Sequence, residues 1–326
     1  MFIHQDCTPR SGDVVLARVD AIGHHGNVEL KTGRKAPIYP GDEVILAYGN
    51  RYAPDQFEAL VPDSLEPCEM VAGGGIASRV VLAHSSTKPA TRVVPIGLLA
   101  DERGVPLNLA DFTVPAIAPR WSLPVLVVCG TSMNAGKTSA MAALVRGLTK
   151  AGLKVGTLKA TGTGAGNDLW IMRDSGAAEV LDFTDAGWST TYRVPVEAIE
   201  RSAHHLIAAL EDAGSDVIIM EIADGLFQHE TRELMQRASF RALVSGVVFA
   251  AGDAMGAVGG VQRLTAMGYN VLAVSGRMTQ SPLALREVAE ELATPVYGLP
   301  QLSTATIAQD LLRRANDVLD TALGAA

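Results

Sequence analysis

The stretch VLVVCGTSMNAGKTS, Val125 to Ser139, decides the fold. Val125–Cys129 is an unbroken apolar run of strand length, the pattern of a strand covered on both faces. A glycine-bearing turn follows, and Gly136-Lys137-Thr138 opens a helix expected to run to about Ala151. A lysine at the positive end of a helix is unfavourable unless an anion sits there. The backbone N–H groups of Asn134–Thr138 therefore read as a cradle for a β-phosphate. Lys137 is placed to reach between β- and γ-phosphates, and the Thr138 hydroxyl to bind Mg²⁺. Thr131, Asn134, Ala135, Gly136, Lys137, Thr138 and Ser139 make up the expected nucleotide-binding set, with ATP as the expected ligand. The strict spacing GxxxxGK[ST] requires glycine where Thr131 stands; Gly130 lies one position earlier.

Outward from this loop, Gly152 ends the helix and Lys154–Leu158 reads as a second strand. Strand, helix and strand in this order form a βαβ unit with parallel strands and a right-handed crossover. Further strands are expected at Val217–Glu221, Ala242–Ala250, Val271–Val274 and Pro295–Tyr297, with helices at about Glu197–Asp212, Ala257–Met267 and Leu283–Leu292. The alternation predicts an α/β domain over residues 121–326, a doubly wound, mainly parallel sheet carrying a P-loop.

Residues 1–120 read differently. Short β-rich runs at Val14–Val19, Val28–Leu30, Glu43–Tyr48, Arg79–Ala83 and Val93–Leu98 are separated by turn residues, including Gly23-His-His-Gly26 and Tyr39-Pro-Gly-Asp42. This spacing predicts a small β-rich, barrel-like domain. Pro115 and Pro119 mark the expected linker.

The loop and the elements after it resemble dethiobiotin synthetase, whose loop reads GTDTxVGKT. The counterpart of that family's second-strand lysine, followed by a small-residue turn, is Lys159 in Gly156-Thr-Leu-Lys159-Ala-Thr-Gly-Thr-Gly164. Its metal-directed aspartate matches Asp168, and its next strand ends in a glutamate matching Glu221 in Val217-Ile-Ile-Met-Glu221. The layout is also similar to that of molybdopterin-guanine dinucleotide biosynthesis protein B and of the cobyrinate amidotransferase ATPase domain. Similarity spans about residues 123–300. It implies that Lys137 and Lys159 are catalytic, neutralising charge on a transferred phosphoryl group. It implies too that Thr138, Asp168 and Glu221 hold Mg²⁺. A helix-capping role for Asp168 stands beside that reading. Where the family carries an Asn-Arg pair that reads adenine, this chain has Val274-Ser-Gly-Arg277, and the family's substrate contacts are not recognisable.

The resemblance implies an ATP- and Mg²⁺-dependent enzyme that phosphorylates a small carboxylate or carbamate for C–N bond formation. Two alternatives use the same loop: a nucleotide-dependent binding or delivery protein, and an acyltransferase holding CoA. Small-molecule substrate, a homodimer, and a protein partner docking on the N-terminal domain are the expected partners. A net charge of −8 argues against nucleic acid or an anionic membrane. No apolar run reaches membrane-spanning length, and three scattered cysteines suit a reducing setting, so the expected location is cytoplasmic.

Other polar residues have simpler readings. His24-His25 is expected at a solvated hairpin tip, His204-His205 on an amphipathic helix, and Asp253 as a helix cap. Trp170 and Trp188 suit packing. Asp224, His229 and Arg232 follow Glu221 closely enough to reach a substrate, with turn or surface roles as the alternative.

Overall fold

A computed structural model describes residues 2–4 and 7–323. The chain forms two compact units. Residues 1–114, 162–167 and 183–194 make the first; residues 115–161, 168–182 and 195–326 make the second. Two short segments downstream of the Pro115–Pro119 linker thus belong to the β-rich unit.

The first unit contains β1 (Phe2–His4), β2 (Val14–Ala21), β3 (Asn27–Glu29), β4 (Lys35–Pro37), β5 (Glu43–Tyr48), β6 (Arg51–Tyr52), β7 (Phe57–Leu60), β8 (Cys68–Ala72), β9 (Ile76–Ala83) and β10 (Thr91–Ala100). Strands β2, β5, β9, β8 and β10 pair in a closed ring, in which only the β5–β9 pair is parallel. Closure removes sheet edges, and the strand alternation fills the interior. In β2 and β5 every second residue is buried, bringing Val15, Ala17, Val19, Val44, Leu46 and Tyr48 into one core with Cys68, Met70, Val93 and Leu98. The short strand β3 overlaps the expected run Val28–Leu30, whereas β4, β6, β7 and β8 escaped the sequence pattern because two to five residues show too little alternation.

The two later segments are stitched into this unit. Thr163 and Thr190 form an antiparallel bridge. The Gly164 N–H donates to Ser189 O at 2.9 Å, and Ser189 Oγ donates to Tyr48 O at 2.7 Å. The Gly166 N–H donates to Glu29 Oε2 at 2.9 Å, and the Tyr192 hydroxyl donates to Glu58 Oε1 at 2.8 Å.

The second unit holds a six-stranded, all-parallel sheet built from β11 (Val125–Gly130), β12 (Val155–Lys159), β13 (Glu179–Asp182), β14 (Val217–Glu221), β15 (Gly246–Ala250) and β16 (Val271–Ser275). Its order is β13-β12-β14-β11-β15-β16. Between the strands run α1 (Lys137–Lys150), α2 (Asn167–Asp174), α3 (Val196–Asp212), α4 (His229–Gln236), α5 (Ala238–Leu243) and α6 (Ala254–Ala266), and after the last strand come α7 (Pro282–Glu291), α8 (Leu299–Leu302) and α9 (Ala305–Leu323). Every residue of β11, β14 and β15 is buried, as apolar runs covered on both faces require. Met141, Leu144 and Leu148 of α1 share a core with Leu126, Val128, Ile219 and Leu311. Each such side chain contributes about 1.5–3 kcal/mol on full burial. The doubly wound parallel architecture expected from the sequence is the one observed.

Some details differ. The expected strand Ala242–Ala250 begins only at Gly246, because Ala238–Leu243 is helical and buries Phe240. An apolar run does not by itself separate helix from strand. Pro295–Tyr297 makes a single parallel bridge, Val274–Val296, rather than a strand. His25 is not at a solvated tip: its Nε2 lies 3.0 Å from Val71 O, and burial pulls its pKa down to about 4.

Candidate phosphate and metal site

Strand β11 delivers the loop to the carboxyl edge of the sheet, where ligands of open α/β folds bind. Two glycines make the turn possible. A Cβ at Gly130 would stand 2.6 Å from Ala250 O, so only glycine admits that approach. Gly136 caps α1 at φ 96°, a left-handed conformation, and no side chain caps the helix. The first-turn N–H groups of α1 have no acceptor within the helix, and its dipole points positive charge at the same place.

Within the loop, the Thr131 N–H donates to Ala250 O at 3.0 Å and the Ala135 N–H to Ser132 O at 3.3 Å. Thr131, of the expected nucleotide-binding set, and Ala135, of the expected cradle, therefore spend their N–H groups on the loop's own shape. Ala135 O accepts from the Arg277 N–H at 2.9 Å. Asn134 is exposed at φ 62°, and Ser139 is exposed on the first turn of α1. Lys137 is 6% exposed and donates from Nζ to Ser132 O at 2.7 Å. The Thr138 hydroxyl donates to Glu221 Oε1 at 3.2 Å.

Lys159 ends β12, between Glu221 at the end of β14 and Asp182 at the end of β13, all three at one register level. Its ammonium also pairs with Asp168 in the first turn of α2. The structure thus brings Lys137, Thr138, Lys159, Asp168 and Glu221 to one sheet edge. Burial lowers the pKa of Lys137, with Glu221 and Asp224 opposing. Burial also acts to lower that of Lys159, but Glu221 and Asp168 outweigh it and the net shift is upward. Burial raises that of Glu221, against the pull of Lys159 and Lys137. Lys159 is consequently a fixed positive charge.

Asp182 belongs to this edge and is not distinguished by the sequence pattern. Its strand has only four residues and opens on Glu179, so only an aspartate closing a weak strand marked it. Other candidates fall elsewhere. Asp253 caps α6, accepting from the Gly256 N–H at 2.7 Å. His229 pairs with Glu233 at 3.4 Å and lies 3.4 Å from Arg232, so these side chains engage one another on an exposed helix face.

The residues fit a magnesium-bound phosphate: a glycine turn at a helix start, one buried and one partly buried ammonium group, and an oxygen-only set of one hydroxyl and two carboxylates. Among the described residues no three His, Cys, Asp or Glu side chains form a ready-made metal cage.

Sheet order, phosphate loop and site position together define a P-loop NTPase domain. Residues 125–232, about a third of the chain, match the family model described as molybdopterin guanine dinucleotide synthesis protein B, MobB. No curated protein matches. Among solved structures, the chain is similar to the signal recognition particle receptor FtsY from Elizabethkingia anophelis at 16% identity, covering 61% of this chain and 67% of that one, TM-score 0.39. The same receptor in complex with GDP matches at 15% identity over 62% and 67%, TM-score 0.39. The signal recognition particle 54 kDa protein from Aeropyrum pernix K1 in complex with GDP matches at 17% identity, TM-score 0.37. That alignment covers 62% of this chain and about half, 51%, of the other. Similarity this distant says nothing about ligand or activity. Among the described residues no helix is long and apolar enough to cross a membrane.

Proposed function

We propose that this chain is a nucleotide-dependent accessory protein of the MobB kind, binding and hydrolysing a Mg²⁺-bound nucleoside triphosphate so that nucleotide state controls a partner or cargo on its β-rich unit. The observation that carries this reading is the path of two segments. Residues 162–167 lie between Lys159 and Asp168 in sequence, and residues 183–194 begin directly after Asp182. Both segments leave the charged edge of the parallel sheet and belong to the β-rich unit. The MobB match across the loop, Lys159 and Glu221 supports the same reading.

Lys137 and the first-turn N–H groups of α1 would hold the phosphates, and Thr138, Asp168 and Glu221 would hold the metal. The metal, when bound, neutralises charge on the phosphates. Lys159 adds a positioned positive charge where charge develops in the transition state.

The test is hydrolysis of ATP and GTP, each with and without Mg²⁺, alongside capture of a partner by the full chain in either nucleotide state. Metal-dependent hydrolysis with nucleotide-dependent capture supports the proposal. Turnover that appears only with a small carboxylate or amine substrate returns the chain to the dethiobiotin synthetase-like reading. Binding of CoA without binding of either triphosphate replaces both.

A further inference from the structure

We propose that Asp182 is a positioning residue for Lys159, anchoring its ammonium while Asp168 and Glu221 serve the metal; this rests on the nucleotide-hydrolysis reading above. Lys159 is in register with Asp182 on one side and Glu221 on the other. Residues level with one another on neighbouring parallel strands project to the same sheet face, so the three side chains form a row. Asp182 and Glu221 are 8% and 3% exposed. Together with Lys159, Asp168 and the apolar Met141 and Met172, they line a cavity of ≈ 20 Å³.

The charges do not balance without a division of labour. Three carboxylates line one cavity with the Lys159 ammonium, which pairs with Asp168, and a Mg²⁺ ion bound with phosphate uses one or two carboxylates. Glu221 is placed to serve the ion because it accepts from the Thr138 hydroxyl, and Asp168 reaches the same edge from α2, where it pairs with the Lys159 ammonium. Asp182 is on the outermost strand, two strands from β14 and three from the phosphate loop's own strand. It is the carboxylate left to hold Lys159 when the other two turn to a cation. An ammonium without such an anchor would follow Asp168 or be repelled by the metal, and a misplacement of about 1 Å costs roughly 100-fold in rate.

The experiment compares Asp182→Asn and Asp182→Glu with the wild-type full chain. For Asp182→Asn, kcat for Mg²⁺-dependent hydrolysis should fall roughly 10- to 100-fold while KM and nucleotide Kd stay within about twofold, the signature of an interaction expressed in the transition state. Asp182→Glu should recover part of the loss. Wild-type kcat in Asp182→Asn, or an equal loss of nucleotide affinity, overturns the proposal. A second readout needs no turnover: hydrogen exchange of the Lys159 ammonium, followed by lysine-selective ¹⁵N NMR. Removing the anchor should speed that exchange roughly tenfold, and unchanged exchange overturns the proposal. If the wild-type chain binds nucleotide without hydrolysing it, the hydrolysis reading fails and this exchange measurement alone decides the role of Asp182. If Asp182→Asn does not fold, Asp182→Glu carries both readouts, with slower turnover and faster exchange expected and wild-type values overturning the proposal.

Discussion

The two units bury polarity in opposite ways. In the β-rich unit, buried polar side chains are mostly small and turn back on nearby backbone: Ser78 Oγ donates to Gly49 O at 2.5 Å, and Ser189 Oγ to Tyr48 O at 2.7 Å. In the P-loop unit, buried Lys137, Asp182 and Glu221 and partly buried Lys159 gather at one end of a sheet whose strands are mostly apolar. Packing and hydrogen bonding account for the first arrangement. The second costs desolvation that an apolar edge would not, since buried ion pairs seldom improve on apolar packing. A cluster retained at such a cost is best explained by what it binds.

That contrast can be broken or sharpened by substitution. The largest effect is expected for Lys159→Met, which leaves Glu221, Asp168 and Asp182 without their shared ammonium. Urea unfolding should show a loss of roughly 3–5 kcal/mol, as for a broken buried ion pair; a loss under 1 kcal/mol would mean the charges are better hydrated than the geometry indicates. Glu221→Gln keeps the side chain's shape and removes the carboxylate proposed to hold the metal. Its Mg²⁺-dependent turnover should fall roughly 10- to 100-fold, as when one charged transition-state contact is lost, and full activity would take Glu221 out of the metal shell.

The β-rich unit gives smaller effects. Burial lowers the pKa of His25 from 6.5 to about 4, so the unfolded chain binds the proton more readily in that interval. Stability contributed by neutral His25 is complete above pH 6.5 and is lost as pH falls toward about 4. Because the ring keeps some solvent contact, the expected loss is only ~1 kcal/mol. His25→Gln should flatten Tm against pH across that window, and an unchanged slope would assign the acid sensitivity elsewhere. Ser189→Ala removes one hydrogen bond to Tyr48 and should cost ~1 kcal/mol. Amide exchange across residues 183–194 should quicken, whereas wild-type protection would show that the segment is held by its other bonds.

The same contrast explains how much was legible in the sequence. The parallel sheet announced itself through strands apolar on both faces, and Lys137 through its place at a helix start, whereas Lys159, Asp168 and Glu221 stood out only through the resemblance to dethiobiotin synthetase. Asp182 was not legible, because its short strand starts and ends on acids and gives no apolar run. The β-rich unit yielded its long strands, β2, β5 and β10, but not its closure. Closure depends on β8 and on β5–β9 pairing over two residues, long-range contacts that leave no local period. Nor does local sequence show that residues 162–167 and 183–194 join that unit, since their bonds go to Glu29, Tyr48 and Glu58, more than a hundred residues away.

If the loop from Gly130 to Ser139 is a nucleoside triphosphate site, it will show in the thermal stability of the wild-type chain and Lys137→Ala with ATP, GTP or CoA, each with and without Mg²⁺. A ligand specific to the folded state raises stability by about 2.7 kcal/mol at a hundredfold excess over Kd. The wild-type Tm should rise with at least one Mg²⁺-triphosphate and not with CoA, and Lys137→Ala should lose most of that rise. No rise with either triphosphate, or the same rise in Lys137→Ala, would contradict the account.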